Sequence, residues 1–396
     1  MAASIFLGML SEILLWNGGI IDIPESAKYS QQDALNPITY AVTSTNNSIE
    51  AAANELRRKM PEASIPCADT VHTYIKTANR IEEILAFFRG LYSVFLELLT
   101  IPNTPQDFAI DFHNEGYYGE KNAEGVRGIQ PKNGTSWGHV YFTIDWLGGK
   151  TATLVEGVVH RIRAMGLKIR IIISDRELFN LAAISTFNAL GADFIMAAQL
   201  DKRIKKILEL HKRENGRKPT IFAYKFRDER SPEFYLVAIQ NPEYDPAMRE
   251  TKGKREFLLF ATSMAFGSVE EFVKRVPQEY RRRWKIETGY RVKKDFKIRT
   301  CSRSYIARVL FFVIQCIMHN FLNVLKMILR ITAHQLKSFI VEDVEKYLNR
   351  GLFLNRISLR KVYAKITYYN QYRGLELFRQ LVADWAASEE KQRIAE

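Results

Sequence analysis

Cysteine is scarce in this chain: Cys67, Cys301 and Cys316 are the only three, odd in number and far apart. That excludes a disulfide framework and a zinc knuckle, and it points to a reducing compartment, the cytosol. The seven histidines show no metal-ligand spacing such as H-x3-H. Ser and Cys nucleophile motifs are missing, as are internal repeats and long low-complexity tracts. An unbroken membrane-spanning run is missing too. Residues 308–329 have the length, but Gln315, His319, Asn320 and Asn323 interrupt them. Polar groups are costly inside a bilayer, so a buried core helix is expected there. The apolar start, MAASIFLGMLSEILLW, has no basic flank and meets Glu12 early, which reads as an amphipathic helix and not a signal peptide.

Acid is also in deficit. In 396 residues, 57 Lys and Arg face 44 Asp and Glu, for a net charge of +13. Such an excess favours a polyanionic partner, either nucleic acid or an anionic membrane surface. With 47% of residues hydrophobic, a packed core is affordable and global disorder is excluded.

The first hundred residues read as helical. Ser48 is placed to cap IEAAANELRRKM, Pro61 closes that run, and Asp69 is placed to cap TVHTYIKT. This short helix pair, with Lys and Arg nearby, suits either DNA binding or plain helical packing. A longer helix, RIEEILAFFRGLYSVFLELL, ends before Pro102 and Pro105. From 106 the texture becomes that of a sheet. DFAIDFH is a strand, the glycine-bearing stretch to Gly134 a loop, and HVYFTID and TATLVEG are two strands joined at Gly148-Gly149. GVVHRIRAMG is a short helix, KIRIIIS a fully buried strand, ELFNLAAISTFNALG a helix and DFIMAAQ another buried strand. This order, β-β-β-α-β-α-β, predicts an α/β fold with a mixed sheet. A Lys-rich helix, three strands (TIFAYKFR, EFYLVAIQ, REFLLFATS) and a long helix capped by Ser268 follow, and the tail to 396 is largely helical.

Three acids stand out. Asp111 lies in the first strand and Asp175 ends the buried KIRIIIS strand, where open α/β sheets gather ligands. Asp107 and Asp145 are rival first acids, but one starts its strand and the other ends the neighbouring one. Either Asp111 or Asp175 alone reads equally well as a strand-end turn residue. The segment EYRRRWKIETGYRVKKDFK, 279–297, is the most informative. As one continuous helix it places Tyr280, Arg283, Glu287 and Lys294 on one face, with Arg291 nearly in line. Its bases greatly outnumber its acids, so phosphates are the natural source of the missing negative charge. The bland alternative is a basic surface helix with an incidental Glu. Several carboxylates beside cations suit phosphodiester cleavage assisted by Mg²⁺, a hard ion that prefers oxygen ligands.

Tyr280, Arg283, Glu287 and Lys294 fit the pattern Y-x2-R-x3-E-x6-K, and this resembles the signature of DDE transposases of the large bacterial and archaeal insertion-sequence group. The blocks DFHNEGYYG around Asp111 and SDRELF around Asp175 are similar to those around the family's two aspartates. The resemblance spans roughly 106–330. It implies a ribonuclease-H-like mixed sheet with a β-rich insertion between the second Asp and the Glu, here about 201–267, flanked by helical N- and C-terminal regions. It also implies cut-and-paste transposition with two Mg²⁺ ions, replaceable by Mn²⁺. Asp111, Asp175 and Glu287 would hold the metals, and Tyr280, Arg283, Arg291 and Lys294 would grip DNA. Relatives often pass through a hairpinned DNA end with an aromatic in the insertion accepting a flipped base; this insertion has no Trp. Phe257 and Phe260 are its substitutes, though core packing is the expected role of both, as it is of Trp284. His113 and Arg176 are weaker candidates for substrate contact.

The expected division is a helical region 1–105 that contacts the DNA ends, a catalytic domain 106–330, and a helical region 331–396 that dimerises. The expected partners are double-stranded DNA and, in the paired-end complex, a second copy of the chain, in a prokaryotic, nucleoid-associated cytoplasm without membrane attachment. The competing readings are another ribonuclease-H-like nuclease, such as a junction resolvase, and a domesticated protein that binds DNA without cutting it.

Overall fold

The computed structural model describes residues 14, 19–21, 23–43, 47–78, 80–98, 104–146, 153–155, 168–189, 191–229, 231–244 and 255–329. The expected N-terminal amphipathic helix, the Gly148-Gly149 turn, the helix GVVHRIRAMG and the tail 331–396 lie outside these residues, Leu14 apart.

Among the described residues four helices precede the sheet: α1 (Gln31–Thr43), α2 (Ile49–Lys59), α3 (Ala68–Ala78) and α4 (Ile81–Leu98). Ser48 caps α2 as expected, its side chain accepting from the Ala51 N–H. The Asp69 cap is corrected. Helix α3 begins at Ala68, two residues earlier than expected, with the Val71 N–H donating to the Cys67 carbonyl, so Asp69 stands inside the first turn, where its charge still favours the helix. Of the basic residues in this helix pair, Arg57 donates to the Ile65 carbonyl and Lys59 pairs with Glu55 at 3.0 Å. Arg57 thus ties α2 to the stretch before α3, while Lys59 bonds within α2 and to Tyr40 of α1.

The sheet has nine strands among the described residues: β1 (Gln106–Gly116), β2 (Val126–Lys132), β3 (Thr135–Trp146), β4 (Thr153–Val155), β5 (Ile169–Ser174), β6 (Asp193–Ala197), β7 (Thr220–Tyr224), β8 (Phe234–Gln240) and β9 (Phe257–Thr262). Their order is β2-β3-β1-β5-β6-β9-β8-β7, with β4 also on β3. Strands β1, β5 and β6 are parallel; β3 runs antiparallel to β1, and β9 antiparallel to β6. The mixed α/β sheet expected from the sequence is therefore present. Strand β2 departs from the expectation of a loop. Gly128 and Pro131 disguise it, but it pairs only with β3, at an edge, where both residues are tolerated. Its turn is Asn133-Gly134, with φ of 51° and 83°, the pair that a two-residue hairpin turn requires.

Side-chain alternation gives the sheet two packed faces. On one, Ala109, Ile171, Ile173, Ile195, Val237 and Phe260 meet Phe272 and Val276 of α7 (Val269–Arg281) and Ile286 and Tyr290 of α8 (Trp284–Lys294). On the other, Phe108, Ile110, Ile172, Phe194 and Met196 join a cluster that takes in the N-terminal helices and α9 (Tyr305–Leu329). Residues Leu310 to Met318 of α9 are buried throughout, so this apolar run is a core helix, and no described helix is long and apolar enough to cross a membrane. Between β6 and β7 lies α6 (Lys202–Asn215), capped by Asp201; α5 (Leu181–Ala189) follows β5. The three strands expected between the second Asp and the Glu continue the main sheet through the β6–β9 pairing.

Candidate active site

Two acids meet first through backbone register. Strands β1 and β5 are parallel neighbours with Ile110 opposite Ser174, so the next residues, Asp111 and Asp175, stand side by side at the end of the pairing. Both point to the face covered by α8, because Ile110 and Ser174 point to the other. Asp111 accepts from the Phe112 N–H at 2.9 Å, and Asp175 caps a single 3-10 turn, Arg176–Leu178, by accepting from the Arg176 N–H. The turn-capping role that a strand-end Asp often has is thus present as well. Neither bond uses a whole carboxylate.

Glu287 comes from α8. The continuous helix expected over 279–297 is instead two helices with a joint at Arg282–Arg283. There the N–H groups of Arg282, Arg283, Lys285 and Ile286 donate three residues back, the tighter 3-10 pattern, while both joint residues keep helical dihedrals. The joint therefore leaves Tyr280 and Arg283 turned towards the acids. Arg283 is the bridge: its Nη2 lies 2.6 Å from Glu287 Oε1 and its Nη1 3.4 Å from Asp111 Oδ2. Its guanidinium also sits 5.6 Å from the centre of the Tyr280 ring.

The electrostatics match this crowding. Burial pushes the Asp111 carboxyl up to about 6; Arg283 opposes the rise, and the Asp175 and Glu287 charges add to it. Burial works against the Arg283 charge, yet Tyr280, Asp175, Asp111 and Glu287 outweigh it and hold the guanidinium above its ordinary value. Burial raises the Tyr280 hydroxyl, with Arg283 opposing. The structure thus brings Asp111, Asp175, Glu287, Arg283 and Tyr280 together. It does not bring in Arg291 and Lys294, which are exposed farther along α8 with no described contact to the acids.

Trp284 departs from its expected role, and His113, a weaker candidate for substrate contact, is packed. Trp284 is 58% exposed and so does not pack: it opens α8 on an outward face shared with Lys285, Thr288, Arg291 and Lys294. His113 is buried, its ring 4.8 Å from that of Tyr290 and 5.4 Å from that of Phe312, so it belongs to the core. Phe257 and Phe260 are buried as expected, Phe260 edge-on to Tyr280. Of the rival acids, Asp107 is held by Arg170 and Arg282, with Nε of Arg170 at 2.6 Å. That clamp fixes α7 to the start of β1. Asp145 pairs across the sheet with Ala109, two positions from Asp111.

The sequence reading missed the floor beneath Asp111. The Tyr290 hydroxyl bonds the Thr143 hydroxyl and donates to the Asp111 carbonyl at 3.4 Å. Lys293, fully buried, has its ammonium 4.4 Å from the centre of the Tyr290 ring. The only signal available was position: Tyr290 is three residues past Glu287, on the turn of α8 that faces β1. A lysine inside a run of bases gives no sign of burial.

Beyond this floor, Glu115 is 9% exposed, with Lys297 Nζ at 2.9 Å and His113 Nε2 at 3.7 Å from its Oε1. Burial alone would raise this carboxyl, but His113 and Lys297 outweigh it and hold it at about 2. Its contribution to stability is therefore complete above the ordinary value of 4.5 and is lost as the pH falls towards 2. Glu115→Gln should cost about 3 kcal/mol near neutrality and flatten that acid limb. Urea unfolding measured across pH checks this; a variant with an unchanged acid limb would show that Glu115 is not the group responsible.

Whether a divalent ion fits rests on the donors. Asp111, Asp175 and Glu287 offer only oxygen, the chemistry that Mg²⁺ and Mn²⁺ accept. As placed, Arg283 fills the gap between Asp111 and Glu287, and among the described residues no three acids, histidines or cysteines stand ready to share an ion. The donors fit in kind, with the guanidinium in their midst. Residues 149–321 match the family described as the transposase DDE domain. No curated protein matches the chain. The matched stretch contains Asp175, Arg283 and Glu287 and begins after β1, so the place of Asp111 among them is a matter of geometry alone.

Proposed function

We propose that this chain, a DDE transposase by the domain it carries at residues 149–321, excises a mobile DNA element and joins its 3′ ends to target DNA in a cut-and-paste reaction. The observation that carries the proposal is the convergence of two parallel-strand acids, Asp111 and Asp175, with the helix-borne Glu287 around one guanidinium. DDE transposases use divalent ions, and here Asp111, Asp175 and Glu287 would hold two Mg²⁺, with Mn²⁺ as a substitute. Bound there, the ions would activate the attacking oxygen and stabilise the leaving one.

The rest of the work falls to the chain. Arg283 presents a planar fork suited to bidentate contact with a phosphate, and Tyr280 backs it. The outward face of α8 offers Lys285, Arg291 and Lys294 to the DNA backbone and the Trp284 indole to an unstacked base. Strands β7 to β9, with α6, represent the family's β-rich insertion at 201–267 in this reading. Residues 1–105 would contact the DNA ends, 106–330 form the catalytic domain, and 331–396 pair two copies so that both ends are held together. The site of action would be the prokaryotic cytoplasm.

The test uses a supercoiled plasmid carrying the gene within its native flanking DNA, where this reading expects terminal inverted repeats. Mg²⁺ should support release of the intervening segment, and chelation should abolish it. Equal cutting of a plasmid without the repeats, or of branched DNA, would replace this reading with a general or junction-directed nuclease. Binding without cutting in either Mg²⁺ or Mn²⁺ would mark a non-cutting DNA-binding protein.

A further inference from the structure

We infer that Arg283 is an internal stand-in for the catalytic metal, so that metal entry and Arg283 departure are one event. This deepens the transposase reading and rests on it. A metal ion needs oxygen atoms about 2.0–2.1 Å away, with near-ideal octahedral geometry if it is Mg²⁺. Arg283 already takes an oxygen of Glu287 at 2.6 Å and faces one of Asp111 at 3.4 Å. A divalent ion bound to those same carboxylates would stand against a guanidinium of like charge. The two cations exclude each other.

The chain has a reason to hold the guanidinium there without metal. Three converging carboxylates repel one another, Asp111 and Asp175 side by side at the strand ends and Glu287 across from them. Arg283, 8% exposed, relieves that repulsion from inside the site. The arrangement is nonetheless incomplete, because Arg283 Nε is buried without a hydrogen-bond partner among the described residues. A DNA phosphate at the mouth of the site would offer the fork two acceptors, as many as the Glu287 and Asp111 oxygens it gives up on leaving. The DNA backbone would then draw Arg283 outward and leave the carboxylates to the ions. Metal and DNA would each favour the other's binding, a coupling that is reciprocal. Metal-free protein would keep its acids neutralised until DNA arrives.

Two measurements on the full-length protein test this. In the first, free Mn²⁺ is followed by electron paramagnetic resonance during titration of the wild type, Arg283→Met and Arg283→Lys. Arg283→Met should bind Mn²⁺ about tenfold more tightly than the wild type, and Arg283→Lys, which keeps the charge, should remain near the wild type. Equal or weaker binding by Arg283→Met would overturn the inference. In the second, the wild type is treated with phenylglyoxal, and modification of the peptide carrying Arg283 is read by mass spectrometry. Mg²⁺ should raise its reactivity several-fold; unchanged or lower reactivity would overturn the inference even if Arg283→Met fails to fold. Asp111→Asn separates the two levels. If the wild type binds Mn²⁺ in an Asp111-dependent way and Arg283→Met is no tighter, only this inference falls. If no Asp111-dependent binding exists in either protein, the transposase reading falls with it.

Discussion

Asp175→Asn should lower metal-dependent DNA nicking by at least about a hundredfold to a thousandfold, with DNA affinity in the absence of metal essentially unchanged. The substitution is sparing in every respect but charge. Asparagine keeps an oxygen for the Arg176 N–H, so the 3-10 turn after β5 retains its cap. Asp111→Asn likewise keeps an acceptor for the Phe112 N–H, and Glu287→Gln keeps one for Arg283. Each change removes one negative charge from a set that would need all three to neutralise the ions and hold them for an in-line attack. Since the basic face of α8 is untouched, binding measured by fluorescence anisotropy should survive. Undiminished nicking in all three variants would sink the assignment of these acids. Loss of both nicking and binding in any one would mean that it had failed as a probe.

Phe312→Ala should cost about 4 kcal/mol of folding stability, the largest loss expected from a single core substitution near the site. Phe312 is 1% exposed and lies face to face with Tyr141 at 4.0 Å, with His113 5.4 Å away. The truncation leaves a ring-sized void between α9 and the ends of β1 and β3, which the regular backbone on both sides prevents from collapsing. His113 in turn lies tilted against the ring of Tyr290, whose hydroxyl bonds the Asp111 carbonyl. The cavity therefore opens directly behind the support of the site, and activity should fall at temperatures where the variant is still folded. Urea unfolding gives the stability figure; a loss under about 1 kcal/mol would place Phe312 outside the close-packed core.

Much of this was legible in the residues because its physics is local. A run such as KIRIIIS has few options but a buried strand, and an Asp directly after it must sit at the strand's end. Ser48, Asp201 and Ser268 announce their helices through side-chain oxygens that reach nearby N–H groups. Where tertiary context decides, the sequence was silent or misleading. Strand β2 carries Gly and Pro, which suit an edge and mimic a loop, though its Asn133-Gly134 turn was a signal within reach. The joint at Arg282–Arg283 has no breaker residue: three arginines fit a continuous helix well, and the joint appears only once Arg282 and Arg283 are seen reaching for Asp107 and Asp111. Trp284 looked like core because indoles usually are, and it is exposed; Lys293 is fully buried, against the habit of ammonium groups.

The pairing of β9 with β6 decides how far the protein could be shortened. Strand β6 lies beside β5, whose end carries Asp175, and β9 covers its other side through Ile195, Met196 and Ala197. The Thr262 hydroxyl adds a bond to the Phe194 carbonyl at 2.7 Å. Cutting out 220–262 to leave a minimal catalytic unit would strip β6 of its neighbour and bare a row of unpaired N–H and C=O groups one strand away from the acids. Such a trimmed protein would be sticky at the edge nearest its own chemistry, so tags and fusions belong at the exposed Asn133-Gly134 turn, on the far side of the sheet.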